Sequence, residues 1–539
     1  MAISLEELLK TRESGPWGYD LSPDGNDVVF SADAAGDGIQ LHRVSLYGGD
    51  PKPLTSGGPD RIEPRWSPAG GLIACTEATD SGESCVAVFP VGVGEAVWRS
   101  PGSRDGQPEW SPDGLRLCYA DEGSGGARVM VWDSQTQELT AVAEHDEPVF
   151  GPTWSPDGSW LPYLVGAPTA PPQSLWVVSS YGQSAARRLN TPHLARAGKV
   201  RWSPAGRLIA AVSDERGYRD VVLINSTTGR PAFLCPEPAE RTHPVFSANG
   251  SQVAYQLFRA GNQRLELHPV PVQTPGGWGP PAKAQPIGRP EGTLLAPRFT
   301  PGKMRAVYAH TGHRDPWELY VQIIDGGHPQ RLTYGSGGVF DAGALVAPAV
   351  ISYPGPAGPV PALLYRAVGA PAAALVLVHD GGPGGNALNR YDPLVQHLIS
   401  RGVTVLAPDY RGSAGYGAPL GYGGEAAASA ELVAAGEYLQ QQGAGRVGIY
   451  GEGYGGVLAL RVAGDFTAAV AALGLGTVWP LAATAPENTL AITVAEAPAV
   501  AGNVLTLPAQ RGVIARSTRS EVARAAARWL AERLGLEEG

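Results

Sequence analysis

The chain has little of what disulfide-bonded, zinc-binding or membrane-spanning proteins need. Its 539 residues include four cysteines with no C-x-x-C pair among them, which excludes a disulfide scaffold and a paired-cysteine zinc site. No apolar run reaches the roughly 20 residues that cross a bilayer. We therefore expect free thiols, no metal, no cofactor and no membrane contact. The cysteines are Cys75, Cys85, Cys118 and Cys235.

An excess of basic charge is also missing. The net charge of −10 argues against a nucleic-acid partner, because such partners are bound through basic surfaces. The amino-terminal stretch MAISLEELLKTRES has neither the basic start nor the apolar run of a secretory signal, so we predict a cytoplasmic location. With 43% hydrophobic residues and this length, the chain is expected to fold into at least two domains.

One phrase recurs through the first two thirds of the chain. Each copy has an aromatic or apolar residue, then Ser-Pro or a close variant, a turn glycine, and a strand of alternating apolar residues. Successive copies are 44 to 53 residues apart, a period typical of a β-propeller, in which four-stranded blades cover one another's apolar faces. Seven copies predict seven blades. Their hydroxyl residues are Ser22, Ser67, Ser111, Ser155, Ser203, Ser247 and Thr300.

Two features of the repeat need interpretation. Tryptophans open four copies, and their fixed place favours packing between blades over a stacking platform for a sugar or base. They are Trp66, Trp110, Trp154 and Trp202. The longest interval contains the Pro- and Gly-rich stretch 271–290, which we interpret as a loop insertion between the sixth and seventh repeats.

A different pattern begins near residue 346. A predicted hairpin is followed by short apolar runs of the kind buried in parallel sheets, and 426–442 is predicted to be a crossover helix. Alternating strands and helices indicate an α/β sheet covered on both faces. The apolar runs are 373–380, 402–410, 446–451 and 468–476.

Three motifs follow the propeller repeats in this part of the chain: VLVHDGGPGG, PDYRGSAGYG and GEGYGG. Together with the repeats, their order and spacing resemble the prolyl oligopeptidase family of serine peptidases, especially its acylaminoacyl-peptidase-like branch. The resemblance covers nearly the whole chain. It implies a seven-bladed β-propeller at 14–340 and a shortened α/β-hydrolase domain at 346–539, with residues 1–13 forming a helix on the hydrolase domain.

In that family the first glycine loop and the amide after the nucleophile form the oxyanion hole. The resemblance places these roles on Gly381 or Gly382 and on the backbone N–H of Tyr454. Asp380 is a departure, because it separates His379 from the glycines where the family has His-Gly-Gly-Pro. A carboxylate that points inward there would repel an oxyanion.

The resemblance also implies a nucleophile, an acid and a histidine in that order, and all three are missing. Gly453 stands at the nucleophile position of the elbow motif Gly-x-Ser-x-Gly. No aspartate follows Leu475; Glu496 is the carboxylate nearest the acid's place, although an exposed strand-end glutamate is the competing interpretation. His397 is the last histidine. Losing a triad serine or histidine costs about a millionfold in turnover, so serine peptidase activity is not expected.

Other polar residues follow predicted strands at the sheet edge where α/β proteins place their ligands. The candidate acids or bases are Glu452, Asp380, His379 and Glu496. The candidates for an oxyanion-hole remnant or for ligand contact are Gly381, Gly382, Tyr454, Tyr410 and Arg411. Asp409 also follows a predicted strand at this edge. For Asp409 and Arg411, the alternative to a role in the site is that they brace loops.

Three functions fit this pattern. The first is a catalytically silent hydrolase that binds a small molecule, a peptide or a protein partner between its domains. The second is a non-hydrolytic biosynthetic enzyme, such as an isomerase, cyclase or lyase, that reuses the hydrolase pocket. The third is a structural docking propeller, which a pocket filled by side chains would favour.

Overall fold

The first two thirds of the chain form antiparallel sheets, one unit for each copy of the repeat. In this computed structural model the described residues are 3–536, apart from 35–37, 80–81, 93, 124–125, 167–172, 196, 236, 272, 275–276, 279–282, 303–304, 336, 338–340, 368, 370–372, 381–384, 417–423, 474–482, 485, 495–499 and 508–515. Units one to five each have four strands in sequential order. The predicted propeller is confirmed.

The strands of the first three units are β1 (Ser14–Leu21), β2 (Asp27–Ala34), β3 (Gly38–Ser45), β4 (Lys52–Pro53), β5 (Asp60–Trp66), β6 (Leu72–Ala78), β7 (Ser84–Pro90), β8 (Trp98–Arg99), β9 (Asp105–Trp110), β10 (Arg116–Asp121), β11 (Ala127–Asp133) and β12 (Leu139–His145). Those of the next two are β13 (Val149–Phe150), β14 (Trp160–Val165), β15 (Ser174–Ser179), β16 (Arg187–Arg188), β17 (Arg201–Trp202), β18 (Leu208–Ser213), β19 (Asp220–Asn225) and β20 (Pro231–Phe233).

The sixth and seventh units are joined into one sheet. Their strands are β21 (Arg241–Phe246), β22 (Gln252–Arg259), β23 (Asn262–Pro269), β24 (Gln273–Thr274), β25 (Gly277–Trp278), β26 (Gln285–Ile287), β27 (Thr293–Leu294), β28 (Arg298–Phe299), β29 (Arg305–Gly312), β30 (Asp315–Ile323) and β31 (Gln330–Arg331). The short β27 joins them by pairing with both β23 and β29. The loop predicted at 271–290 is wrong in part, because β26 lies within it and pairs with β23.

The repeat's turn explains why each copy starts a hairpin. The glycine adopts a left-handed conformation, as at Gly114 with φ 71°, and its N–H donates to the repeat serine's carbonyl, here Ser111, at 2.8 Å. The hydroxyl of Ser111 then accepts the N–H of Arg116 at 2.9 Å, at the start of the next strand. Only glycine takes this backbone conformation without strain, so the motif sets the register of the hairpin.

The tryptophans pack between neighbouring units. Trp110 Nε1 donates to the carbonyl of Arg65 at 3.0 Å, and Trp154 Nε1 donates to the carbonyl of Glu109 at 2.8 Å, each in the preceding unit. Both rings are buried, which confirms packing over a stacking platform for these two residues. Apolar clusters span each junction between consecutive units, and one containing Phe30 and Leu319 joins the first unit to the seventh. The ring is therefore closed by side-chain packing.

The rest of the chain forms an α/β domain. Its strands are β32 (Ala349–Gly355), β33 (Gly358–Tyr365), β34 (Ala373–Val378), β35 (Val403–Pro408), β36 (Arg446–Glu452), β37 (Ala468–Leu473), β38 (Ala483–Thr484), β39 (Thr489–Val494), β40 (Val500–Ala501) and β41 (Val504–Leu507). The main sheet has the order β32-β33-β35-β34-β36-β37-β39-β41. From β35 onwards in that order all pairs are parallel, while β32 and β33 form the predicted antiparallel hairpin at the edge.

Helices cover both faces of this sheet. They are α1 (Leu5–Leu8), α2 (Pro393–Ser400), α3 (Gly424–Gln441), α4 (Tyr454–Arg461) and α5 (Arg516–Leu534), with 3-10 turns at Ala342–Ala344 and Ala463–Asp465. Helices α2 and α5 pack on one face, where Leu5 of α1 joins them, and α3 and α4 pack on the other. Within the predicted helix 1–13, the described helix is the single turn α1.

The segment just before α2 connects the two domains. The N–H of Asn389 donates to the carbonyl of Gly261 in the propeller at 2.7 Å, and the N–H of Tyr391 donates to Thr311 Oγ1 at 3.2 Å. The Tyr391 hydroxyl also donates to the carbonyl of Leu8 at 3.0 Å. These bonds hold the propeller, the amino-terminal turn and the start of α2 together.

Two further expectations from the sequence concern the state of the thiols and the presence of a helix that could cross a membrane. All four cysteines are free, and three of them are buried, with Cys85 half-buried. Among the described helices, none combines the length and apolar character that a bilayer crossing requires.

Candidate functional site

The elbow between β36 and α4 keeps the geometry of a nucleophile turn. Gly453 has φ 53° and ψ −121°, and α4 begins at the next residue. Its N–H donates to the carbonyl of Ala472 on the neighbouring strand at 2.9 Å. A Cβ on Gly455 would lie 2.4 Å from the carbonyl oxygen of Val378, so the glycines let the helix approach the sheet closely. The turn is thus formed without its nucleophile.

The carboxylate of Asp380 occupies the space that a side chain at residue 453 would need. A Cβ built on Gly453 would lie 2.3 Å from Oδ1 and 2.6 Å from Oδ2 of Asp380. Oδ1 also accepts the backbone N–H of Tyr454 at 2.9 Å. Asp380 therefore points inward and uses the amide that the resemblance assigned to the oxyanion hole. Gly381 and Gly382, the other predicted contributors, lie outside the described residues.

His379 lies behind the elbow in a closed hydrogen-bond network. Its Nδ1 is 2.9 Å from the carbonyl of Asp380, and its Nε2 is 2.9 Å from Ser413 Oγ. A carbonyl can only accept, so Nδ1 carries the proton and Nε2 accepts from the serine. Burial lowers the pKa of His379 to about 4, and its ring stacks on Tyr410 at 4.3 Å between centroids. This neutral imidazole holds the loop in place.

The residues after β35 are also occupied. Asp409 accepts the N–H of Ala387 and the hydroxyl of Tyr416, both at 2.6 Å, and burial raises its pKa to about 7. Arg411 turns away from the elbow, and its Nε lies 3.1 Å from Oε1 of Glu431 on α3. Asp409 and Arg411 therefore brace loops.

Glu452 faces a different space from Gly453, although the two are adjacent. It lines a cavity of about 190 Å³ between the domains, where Tyr450 donates a hydrogen bond to it. The propeller contributes Trp17 and Trp317 to the walls, and the α/β domain contributes Arg390. Parts of the amino-terminal segment and of α5 complete the lining. The candidate residues therefore divide between a filled elbow and an open cavity.

The remaining candidates do not join either place. Glu496 lies outside the described residues. His397, the last histidine, is on α2, where its Nδ1 donates to the carbonyl of Ile3 at 2.8 Å. Within the described parts of the chain, no cluster of three or more His, Cys, Asp or Glu residues is arranged to hold a metal ion.

Known proteins share this architecture. A puromycin-hydrolyzing peptidase from Mycobacterium tuberculosis superposes with a TM-score of 0.77 over 99% of this chain and 96% of its own, at 17% identity. A prolyl endopeptidase gives a TM-score of 0.77 over 99% and 91%, at 15% identity. The Pyrococcus horikoshii acylaminoacyl peptidase gives 0.71 over 100% and 98%, at 15% identity. The fold is that of the prolyl oligopeptidases.

Sequence matches to this prolyl oligopeptidase-like chain are shorter. The alpha/beta hydrolase family model matches residues 375–537. The uncharacterized peptidase YuxL of Bacillus subtilis is 31% identical over 170 residues, which are 28% of this chain and 23% of that protein. The uncharacterized protein Atu1656 of Agrobacterium fabrum is 27% identical over 181 residues, 31% of this chain and 55% of that protein. The matched regions thus cover about a quarter of the length of YuxL and about half of the length of Atu1656.

Arg390 is among the cavity residues that the sequence did not indicate. Arg390 belongs to no motif, and its place beside the cavity depends on how the segment before α2 crosses to the propeller. In the sequence it stands two residues before Asp392, which caps α2 by accepting the N–H of Val395 at 3.1 Å. That cap indicates a helix start and says nothing of a site between domains.

Proposed function

We propose that this prolyl oligopeptidase-like protein is catalytically silent and binds a small molecule or a peptide in the cavity between its domains. The observation that supports catalytic silence is that the carboxylate of Asp380 occupies the place of the nucleophile's side chain. An acyl-transfer transition state needs hydrogen-bond donors aimed at a developing negative charge. Here the Tyr454 amide already serves a fixed negative group. The site therefore disfavours the charge that peptidase chemistry creates.

The second half of the proposal is supported by the open cavity. Its walls come from the propeller, the amino-terminal segment and the α/β domain, and both aromatic and charged side chains line it. Ligand sites occur preferentially at such domain junctions. A purely structural docking ring, which predicts a pocket filled by side chains, receives less support.

The non-hydrolytic enzyme also receives less support. It would need acids and bases that face the ligand, but His379 and Asp409 are both hydrogen-bonded and neither lines the interdomain cavity, so among the described acid or base candidates only Glu452 lines it. In the cavity, Glu452 accepts a hydrogen bond from Tyr450. Burial and the Glu452 carboxylate raise the pKa of Tyr450 far above its usual value, so it is a poor acid.

The test is a search for hydrolysis with full-length protein. Purified protein is incubated with an acyl-peptide anilide, a p-nitrophenyl ester and a fluorophosphonate that labels active serines, beside an active peptidase of the same fold. We expect no labelling and no turnover above the buffer blank. Asp380→Asn and Glu452→Ala proteins purified in parallel identify contaminants, since contaminant turnover would be the same in all preparations. Turnover that copurifies with the wild type and disappears in either variant would refute the silent assignment.

A further inference from the structure

Arg390 is a cation that lines the interdomain cavity. Among the residues that the structure describes, no carboxylate oxygen lies within 4.0 Å of its guanidinium nitrogens, and it makes no hydrogen bond. It lies deep between the domains, yet much of its surface stays accessible because that surface faces the cavity. Its guanidinium is exposed to the cavity, so it keeps contact with solvent that a ligand can replace. The guanidinium is therefore available to a ligand.

The backbone on both sides of Arg390 is fixed. The neighbouring residue on one side, Asn389, bonds through its N–H to Gly261, and on the other side Tyr391 bonds to Thr311. Both acceptors are in the propeller. The guanidinium is therefore positioned by the domain contact before any ligand arrives, which lowers the entropic cost of binding.

Carboxylates line the same cavity at a distance from the guanidinium. Burial lowers the pKa of Arg390, but nearby carboxylates, led by Asp392 and Glu452, outweigh burial and raise it overall. Neither of these forms an ion pair with Arg390 within 4.0 Å, so groups of both charges line the cavity without direct contact. Such an arrangement fits a ligand that carries both charges.

The other walls and the volume limit the kind of ligand. Trp17 and Trp317 supply aromatic surface from the propeller side. At about 190 Å³, the cavity is below the roughly 300 to 1,000 Å³ usual for drug-sized ligands. An amino acid or dipeptide is within this size, whereas a folded partner or a long peptide is not.

We propose that the cavity binds a free amino acid or a dipeptide, with the ligand's carboxylate on Arg390 and its ammonium group facing Glu452 and Asp392. This rests on the proposed function, because it names the ligand of the same cavity. The guanidinium presents two parallel N–H donors to a carboxylate, a match that neither an amide nor an ester terminus can make with the same charge.

The experiment is isothermal titration calorimetry of the full-length protein with three probes. They are L-alanylglycine, which is smaller than the cavity, its carboxyl-terminal amide and its N-acetyl derivative. We expect the free dipeptide to bind at least tenfold more tightly than the amide and several-fold more tightly than the N-acetyl form. Equal affinity for the free dipeptide and its amide would overturn the proposal, and so would the absence of dipeptide binding up to millimolar concentration.

Substitutions of Arg390 test whether this residue is responsible for dipeptide binding. Arg390→Met is expected to lose dipeptide binding, and Arg390→Lys, which keeps charge and length, is expected to weaken it about tenfold. The matched control is Arg207→Met, an exposed arginine in the propeller, which should bind as the wild type does. Circular dichroism and a melting curve establish that each variant is folded, and Arg390→Lys supplies the test if Arg390→Met is not. Binding unchanged in a folded Arg390 variant contradicts the assignment.

The same titration separates the two proposals. Mass spectrometry of the recovered dipeptide reports cleavage, which would refute catalytic silence and leave recognition by Arg390 standing. Intact dipeptide with no dependence on Arg390 would refute the recognition and leave catalytic silence standing.

Discussion

Gly453 and Glu452 are consecutive residues, but they border two regions in opposite states. At the elbow, the Asp380 carboxylate fills the space above Gly453 and accepts the Tyr454 amide. Across the strand end, Glu452 faces a cavity lined by Arg390, which forms no ion pair with any described residue. In a peptidase of this fold the elbow must stay open to substrate. Here polar groups close the elbow, whereas the neighbouring cavity is open and lined by Arg390. The comparison indicates that a ligand would meet charged side chains in the cavity and not at the elbow.

The largest expected effect comes from forcing a side chain into the closed region. Gly453→Ser must hold a positive φ and displace Asp380 from its hydrogen bond, so we expect a loss of about 3 kcal/mol in the free energy of unfolding. Urea denaturation measures it. The matched control is Gly464→Ser, an exposed glycine of the same domain with open space around its Cβ position, which should change stability little.

A double variant sharpens this result. Gly453→Ser with Asp380→Gly removes the clash and restores the family's His-Gly-Gly loop, so it should recover part of the lost stability. It should remain inactive on esters, because the acid and the histidine are still missing. If Gly453→Ser alone is as stable as the wild type, the elbow is not closed in the way described.

A smaller effect is expected from the pH dependence of the network behind the elbow. The pKa of Asp409 is raised to about 7 in the folded protein, so its protonated form contributes stability that is complete below about pH 4 and is lost as pH rises through 7. Asp409→Asn stays neutral throughout. Its stability relative to the wild type should therefore increase by about 2 to 3 kcal/mol between pH 5 and pH 8.

His379, whose pKa is lowered, has the opposite pH dependence, and its Nε2 lies 3.8 Å from Asp409 Oδ1, so the comparison is made with His379→Gln present in both proteins. Urea denaturation at the two pH values gives the result. The control is Asp325→Asn, the same substitution at an exposed aspartate of the propeller. A flat difference for Asp409→Asn would mean that this carboxyl is ionised in the folded protein at pH 5.

The smallest effect is expected from two tryptophans of the propeller that differ in whether the indole N–H has a hydrogen-bond partner. Trp154 Nε1 donates to Glu109, whereas Trp202 Nε1 is buried and finds no partner among the described residues. Substitution by phenylalanine removes similar volume from both sites. We expect Trp154→Phe to cost about 1 kcal/mol more than Trp202→Phe, the typical net value of one hydrogen bond. Equal losses in thermal denaturation would show that the hydrogen bond adds nothing beyond packing.

Much of the fold could be predicted because it is encoded locally. The serine hydroxyl and the left-handed glycine form each repeat's turn from residues a few positions apart, and the apolar runs of the α/β domain are long enough to indicate buried strands. The joining of the last two blades by β27 could not be predicted. That strand has only two residues, and its partners, β23 and β29, are separate in sequence.

The site was predictable to a lesser degree. The elbow and its missing serine follow from a short motif, and an inward-pointing Asp380 was one of two orientations open to it. Its actual orientation depends on the distance between β34 and β36, which are neighbours in space and about 70 residues apart in the chain. Arg411 was a candidate for ligand contact, but α3 brings Glu431 close enough to turn it away.

The sequence by itself determined the seven repeats, the change to alternating strands and helices, and the loss of the triad, because each depends on residue identity over short spans. Only the tertiary structure decided that Asp380 closes the elbow and that Arg390 lines the cavity between the domains. The physical reason is that a charge's role depends on which groups surround it. For these two residues the surroundings come from a neighbouring strand and from the other domain.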